Sequence, residues 1–281
     1  MEFLDAVIQG IIQGLTEFLP VSSSGHLALY QHYFGKSEDS SGLFFSAILH
    51  LGTLLATFLA FRTEIWALIK EFFSMIGDLF KGKLFKTKMN PERRMIVMLI
   101  LSCLVLVPFV PLKSTIEMVS EKYMIVLGCL FLYTSVILYL SDRCTKGKKS
   151  EADITPKNAL TVGLFQAIAL FPGVSRSGST ISSGLFCGFS REFAVRYSFI
   201  LGIPTILAGC LLEVKDAVEA SESMGNLAVY AVGFVVSAIV GICAIKMVNW
   251  IVKSDKFTIF SIYTLLLGLG IIGYEVFKRI A

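Results

Sequence analysis

The chain has 281 residues, 55% of them hydrophobic and only 16% charged, with a mean hydropathy of +0.74 and a formal net charge of +4. No water-soluble globular domain carries that much apolar surface, so the surrounding medium is lipid. The small net charge gives no reason to invoke nucleic acid.

A helix rises about 1.5 Å per residue, so roughly 20 apolar residues cross a hydrocarbon core about 30 Å thick. The first apolar stretch, Phe3 to Leu19, is interrupted by Pro20 and the Ser22-Ser23-Ser24-Gly25 run, and the remaining arm, Leu27 to Phe34, is too short to cross. Residues 3–34 therefore read as helix, polar turn and helix, a re-entrant hairpin. Glu2 and Asp5 stand where a signal peptide would be basic, which predicts that this segment belongs to the folded protein. Three spans follow, Leu43 to Phe61, Met95 to Leu112 and Tyr123 to Leu140. Between the first two, Glu64 to Lys88 sets aromatic and aliphatic residues among lysines at helical spacing, the pattern of an amphipathic helix on the membrane surface. A second hairpin over 159–189 runs from Ala159 to Phe171, turns through Pro172-Gly173 and Ser175-Arg176-Ser177-Gly178, and returns from Ile181. Phe193 to Leu212, Leu227 to Ile245 and Phe257 to Tyr274 complete six spans. The predicted fold is a single all-α membrane domain, residues 1–281, of six transmembrane helices plus two re-entrant hairpins. Of six cysteines none forms a CxxC pair and five lie in apolar segments, so they read as small core residues.

Loop charge predicts orientation. Residues 62–94 hold eight Lys/Arg against four acids, 141–157 five against three, and 246–256 three against one, whereas 213–222 hold four acids and one lysine. The short loops around Lys36 and from Lys113 to Lys122 are balanced. The positive-inside rule places the three basic loops in the cytoplasm and both termini outside, with Lys278 and Arg279 as a small exception.

The chain also repeats itself. A shift of 153 positions aligns Gly10, Gln13, Val21, Ser22, Ser24 and Gly25 with Gly163, Gln166, Val174, Ser175, Ser177 and Gly178, and a shift of 152 aligns residues 45–56 with 197–208. Each half, 1–141 and 157–281, reads as one hairpin and three spans. An odd number of spans inverts the second copy, and inverted repeats bring their broken helices together near the midplane.

Glu17, His26, His50 and Arg176 are the ionisable groups expected deep in the bilayer, where even mild scales put a charge at roughly +2.5 to +3.5 kcal/mol. Glu17 follows Gln13 by one turn and shares its face. Each turn opens a helix whose first N–H groups lack internal partners, so two serine-rich turns with an arginine make an anion site. For the individual serines the competing role is helix capping, and for Glu17 and Arg176 it is a buried ion pair locking the halves together. His50, in mid-span, reads as a packing hydrogen-bond donor.

Gln13-Gly-Leu-Thr-Glu17-Phe-Leu-Pro-Val-Ser-Ser-Ser-Gly-His26 together with Pro172-Gly-Val-Ser-Arg176-Ser-Gly-Ser-Thr180 closely resembles the undecaprenyl-diphosphatase, or bacitracin-resistance, family, and the resemblance covers the whole chain. It implies removal of one phosphate from undecaprenyl diphosphate at the outer face of the bacterial plasma membrane. The product is the carrier reused in envelope synthesis, and a divalent cation, Mg²⁺ or Ca²⁺, is required. It implies Glu17, Ser23, His26 and Arg176 as catalytic residues, with Glu17 on the metal. Gln13, Ser22, Ser24, Gly25, Ser175, Ser177, Gly178 and Thr180 are expected around the substrate. The family has Glu or Gln at the first position of its acidic motif; Gln13 here leaves one carboxylate. Ser23, His26 and water all remain open as nucleophile. All three histidines precede residue 51, so the phosphatidic-acid-phosphatase pattern, which needs a later histidine, does not fit. The partners implied are a polyprenyl diphosphate lipid and the bilayer, and a homodimer is compatible with such a fold. The competing class is a transporter or flippase of a polyprenyl phosphate lipid, since broken helices and inverted repeats are typical of transporters.

Overall fold

The structure, a computed structural model, describes residues 2–34, 42–83, 87–112, 116, 123–222, 226–253 and 257–280. The predicted loops around Lys36 and from Lys113 to Lys122 lie outside the described residues except Ile116. Eleven α-helices appear among those described. They are α1 (Phe3–Thr16), α2 (Ser23–Tyr33), α3 (Leu43–Ala60), α4 (Arg62–Phe80), α5 (Pro91–Leu104), α6 (Met124–Asp142), α7 (Pro156–Ile168), α8 (Arg176–Phe186), α9 (Arg191–Glu219), α10 (Leu227–Lys253) and α11 (Thr258–Ile280). The only β-type pairing among the described residues joins Lys149 and Phe189.

Among the described residues six segments are long and apolar enough to cross a membrane: α3, α5 with the 3₁₀ turn that extends it to Leu112, α6, α9, α10 and α11. They coincide with the six predicted spans, but several run further. The acidic stretch expected as a loop from Glu213 forms the last turns of α9, and the basic stretch from Lys246 continues α10 to Lys253. An apolarity pattern ends at the last apolar residue, whereas a helix continues wherever its backbone bonds are made. The α-helix α5 ends at Leu104 because Pro108 has no N–H for the Leu104 carbonyl and its ring would collide with it.

Close approach is bought with small residues, as expected where lipid offers no hydrophobic drive between helices. A Cβ at Gly14 of α1 would stand 2.8 Å from Val240 of α10, and one at Gly268 of α11 2.8 Å from the Gly128 carbonyl of α6. Ser135 of α6 and Ser261 of α11 each donate to the other's carbonyl, at 2.7 and 2.8 Å, and fix the register of that pair. The same physics corrects the reading of the cysteines: only Cys210 is buried, while Cys129 and Cys243 are exposed, because an apolar side chain facing lipid gains little by turning inward.

The amphipathic helix expected over Glu64 to Lys88 is α4, which buries only Ile65 and leaves Trp66, Phe73 and Phe80 exposed. Residues 84–86 of that stretch lie outside the described residues. Arg93, at the start of α5 and 3% exposed, ties α4 down by donating to Glu71 at 2.7 Å and to Asp78 at 2.8 Å. Asn90 donates to the other Glu71 oxygen at 3.0 Å.

Candidate active site

Both broken segments are helix, turn and helix: α1–α2 around residues 17–22, and α7–α8 around 169–175. Their second arms begin at Ser23 and Arg176, earlier than the apolar runs suggested, because capped polar residues make the first turn. The two turns are built alike. Ser22 accepts the Gly25 N–H at 3.3 Å and Ser175 accepts the Gly178 N–H at 3.0 Å, while the neighbouring Ser22–Ser24 and Ser175–Ser177 hydroxyls pair at 3.4 and 3.2 Å.

The turns meet. Ser22 also accepts the Gly173 N–H of the other turn at 3.1 Å, and Ser177 returns a bond to the Leu19 carbonyl at 3.2 Å. Gly25 makes the crossing possible, since a Cβ there would lie 2.6 Å from the Phe131 ring and 3.0 Å from the Gly173 Cα. Gly173, with φ +96°, takes a left-handed conformation that glycine adopts without strain. Thr134 of α6 braces the second turn, donating to the Gly173 carbonyl at 2.9 Å and accepting from the Ser175 N–H at 3.2 Å.

Glu17 sits where the turns converge and is 8% exposed. Arg176 donates to Oε1 at 2.6 Å, while Ser23 at 2.8 Å and Gln13 at 3.0 Å donate to Oε2. Three of the predicted site residues thus share the carboxylate of a fourth, although 159 positions separate Glu17 from Arg176. The guanidinium also donates to the Ser198 carbonyl of α9 at 3.4 Å. A carboxylate and a guanidinium buried singly would each cost several kcal/mol, and as a hydrogen-bonded pair each offsets the other's desolvation.

His26, one turn into α2, places Nδ1 2.7 Å from the Ser22 carbonyl and Nε2 2.7 Å from the Tyr263 hydroxyl. Ser23, His26 and the Arg176 side chain are partly exposed and Ser24 is exposed, so these groups face the accessible side. Ser22, Gly25, Ser175, Ser177, Gly178 and Thr180 are buried. Their polar groups serve the caps, the crossing and, for Thr180, bonds to the Arg176 and Ser177 carbonyls and the Ser198 hydroxyl. In this conformation those six shape the site from behind.

Several partners carry no sequence signal. Tyr263 and Phe131 resemble any aromatic residue of a span, and Gly202, which lies against the Arg176 guanidinium, resembles any small one. Asp5, 6% exposed, accepts from Tyr30 at 2.9 Å and joins α1 to α2, and it was not among the ionisable groups that the sequence placed deep in the bilayer. His50 bonds the Ser46 carbonyl of its own helix at 3.0 Å and stands 3.7 Å from Glu213, the acid expected in a loop.

Among the described residues no three His, Cys, Asp or Glu side chains gather as a metal cluster. The donors at the site are nevertheless hard oxygens. Gln13 is fully buried, and its Oε1 has no hydrogen-bond partner among the described residues. One carboxylate beside one unpartnered amide oxygen fits a divalent cation that takes most of its shell from water and phosphate.

Residues 6–270 match the family model described as Bacitracin resistance protein BacA. The undecaprenyl-diphosphatase of Methanosphaera stadtmanae is 39% identical over 96% of this chain and 96% of its own length. That of Alkaliphilus metalliredigens is 38% identical over 95% of this chain and 97% of its own. Undecaprenyl-diphosphatase 4 of Bacillus thuringiensis is 38% identical over 97% and 96% respectively.

Proposed function

The chain belongs to the Bacitracin resistance protein BacA family, and on that premise we infer that it is a multi-pass membrane phosphatase that hydrolyses undecaprenyl diphosphate to undecaprenyl phosphate and phosphate. Removal of the terminal phosphate returns the monophosphate carrier to envelope synthesis, in keeping with the family's link to bacitracin resistance. The observation that carries this reading at the level of chemistry is the sharing of Glu17 by Arg176, Ser23 and Gln13 from two separate hairpins.

Phosphoryl transfer asks for positioning and neutralisation of charge more than for covalent chemistry. Arg176 is the phosphate clamp, because a planar guanidinium meets two phosphate oxygens at once. The positive N-terminal ends of α2 and α8 add partial charge of the same sign. Ser23 is partly exposed, and its hydroxyl bonds an anionic oxygen, so it is oriented either to attack the terminal phosphorus or to hold the water that does. His26 takes the proton released. A divalent cation, Mg²⁺ or Ca²⁺, would be held by Glu17 and the Gln13 amide oxygen and would supply further neutralisation of the diphosphate. The site opens to the outer face of the plasma membrane, with the two broken segments entering from opposite sides as inverted repeats and the prenyl chain lying in lipid between helices.

Release of phosphate from undecaprenyl diphosphate by the purified protein, with and without Mg²⁺ or Ca²⁺, tests this reading. Glu17→Gln removes the charge that aligns Arg176 and is expected to lower cation-dependent turnover at least ~100-fold. An unchanged rate with an unchanged metal requirement would remove Glu17 from the site.

A further inference from the structure

His26 is held from outside its own hairpin. Its Nδ1 lies 2.7 Å from the Ser22 carbonyl, which can only accept, so Nδ1 carries the proton. In the neutral ring the lone pair then sits on Nε2, the nitrogen 2.7 Å from the Tyr263 hydroxyl of α11. The two rings are nearly parallel, with centroids 5.7 Å apart and planes 9° from each other. Phe131 of α6 meets the imidazole edge-on at 5.4 Å and 90°.

The backbone is arranged to the same end. Ser22 has φ +73°, a conformation that costs a residue with a side chain about 1–3 kcal/mol and persists only where its surroundings impose it. In that conformation its carbonyl accepts both the His26 backbone N–H at 3.3 Å and the ring Nδ1–H. On the other side, Tyr263 follows by two residues the Ser261 that is locked to Ser135 of α6. Thr134, beside Ser135, holds the turn that carries Arg176. One level of α6 therefore sets the second turn and α11 in a common register around His26.

We propose that Tyr263 is a positioning residue for diphosphate hydrolysis, holding the His26 imidazole in one tautomer and one orientation. At rest the phenolic hydrogen occupies the Nε2 lone pair; it turns away to solvent as Nε2 takes up the released proton, and the phenol oxygen then accepts the new N–H, so Tyr263 holds the ring before and after the proton transfer and keeps its own hydrogen. The proposal rests on the hydrolytic reading of Glu17, Ser23, His26 and Arg176.

The test is Tyr263→Phe in the purified full-length protein, which keeps the ring and deletes only the hydroxyl. Two measurements are made: steady-state phosphate release from undecaprenyl diphosphate, and carbethoxylation of histidines by diethyl pyrocarbonate, located by mass spectrometry. The chain's three histidines supply internal controls in His32 and His50. The expected result is a fall in kcat of about 10-fold or more with KM held within about twofold, because the lost contact serves the proton transfer and not substrate binding. His26 should also react several-fold faster once Nε2 is uncovered, with His32 and His50 unmoved. An unchanged kcat, a loss borne by KM, an unchanged His26 rate or a rise at all three histidines overturns the proposal. Wild-type protein that releases no phosphate sinks the hydrolytic reading instead, and the modification rates alone then decide whether Tyr263 holds the ring.

Discussion

Arg176 reaches Glu17 across a space that exists because position 202 has no side chain. A Cβ there would stand 2.3 Å from Nη1 of the guanidinium. That group is pinned by its bond to Glu17 and cannot simply swing aside, so Gly202→Ala is expected to push it off the carboxylate. Misplacement of a clamp by about 1 Å costs on the order of 100-fold in rate, so phosphate release should fall by that order while circular dichroism shows helix content retained. Arg176→Lys is expected to lose about 100-fold in kcat/KM although the charge is kept, since an ammonium cannot bridge two phosphate oxygens; near-normal turnover in the folded variant would reduce Arg176 to a structural ion. Glu17, Ser23 and Arg176 were legible in the sequence because polar groups stand out in an apolar chain. Gly202 and Tyr263 were not, because what distinguishes them is what lies across from them, and a single sequence holds no record of that. The ion pair weighed as a competing role for Glu17 and Arg176 is present, and in the proposed mechanism the same contact places the clamp.

At the scale of elements, the six spans followed from apolar length alone, whereas helix ends depended on caps that hydropathy does not register. Thr155 illustrates the point: it forms a capping box with Asn158 and starts α7 at Pro156, ahead of the apolar run at Ala159. The clamp on α4 was also hidden, since Glu71, Asp78 and Arg93 read as charges of a basic loop. Its pH dependence follows from the donors around Asp78. The Arg93 hydrogen bond, joined by one from Thr87, holds that carboxyl below the usual carboxylate range. A carboxyl with a lowered folded pKa contributes stability that is complete above its unfolded value, near 4, and is lost as pH falls through the lowered one. Hydrogen exchange of α4 amides, corrected for intrinsic rates, should therefore stay flat through mildly acidic pH and rise only below the ordinary Asp range. Asp78→Asn should abolish that step, and a variant that keeps it would locate the titration elsewhere.

At the scale of the whole molecule, two similar turns from distant parts of the chain meet, and both lie on the motif that the 153-position shift aligns in the sequence. What it could not convey was how the turns are cross-linked, Ser22 to Gly173 and Ser177 to Leu19, because such bonds depend on backbone direction. The proposed orientation is open to direct measurement. Ser24 is exposed beside the crossing, so Ser24→Cys, with the six native cysteines replaced, should react with a membrane-impermeant thiol reagent added outside intact cells. Labelling only from the cytoplasmic side would reverse the orientation. The bond between Glu17 and Arg176 has a consequence for the order of events in turnover. In the proposed hydrolysis the guanidinium already has an anion beside it at rest, so an arriving phosphate would enter by exchange, displacing the carboxylate from a cation that stays in place. When the cleaved phosphate leaves, the same carboxylate would return to the vacated position, a competitor for the product carried by the protein itself, and the site would reset by rebound.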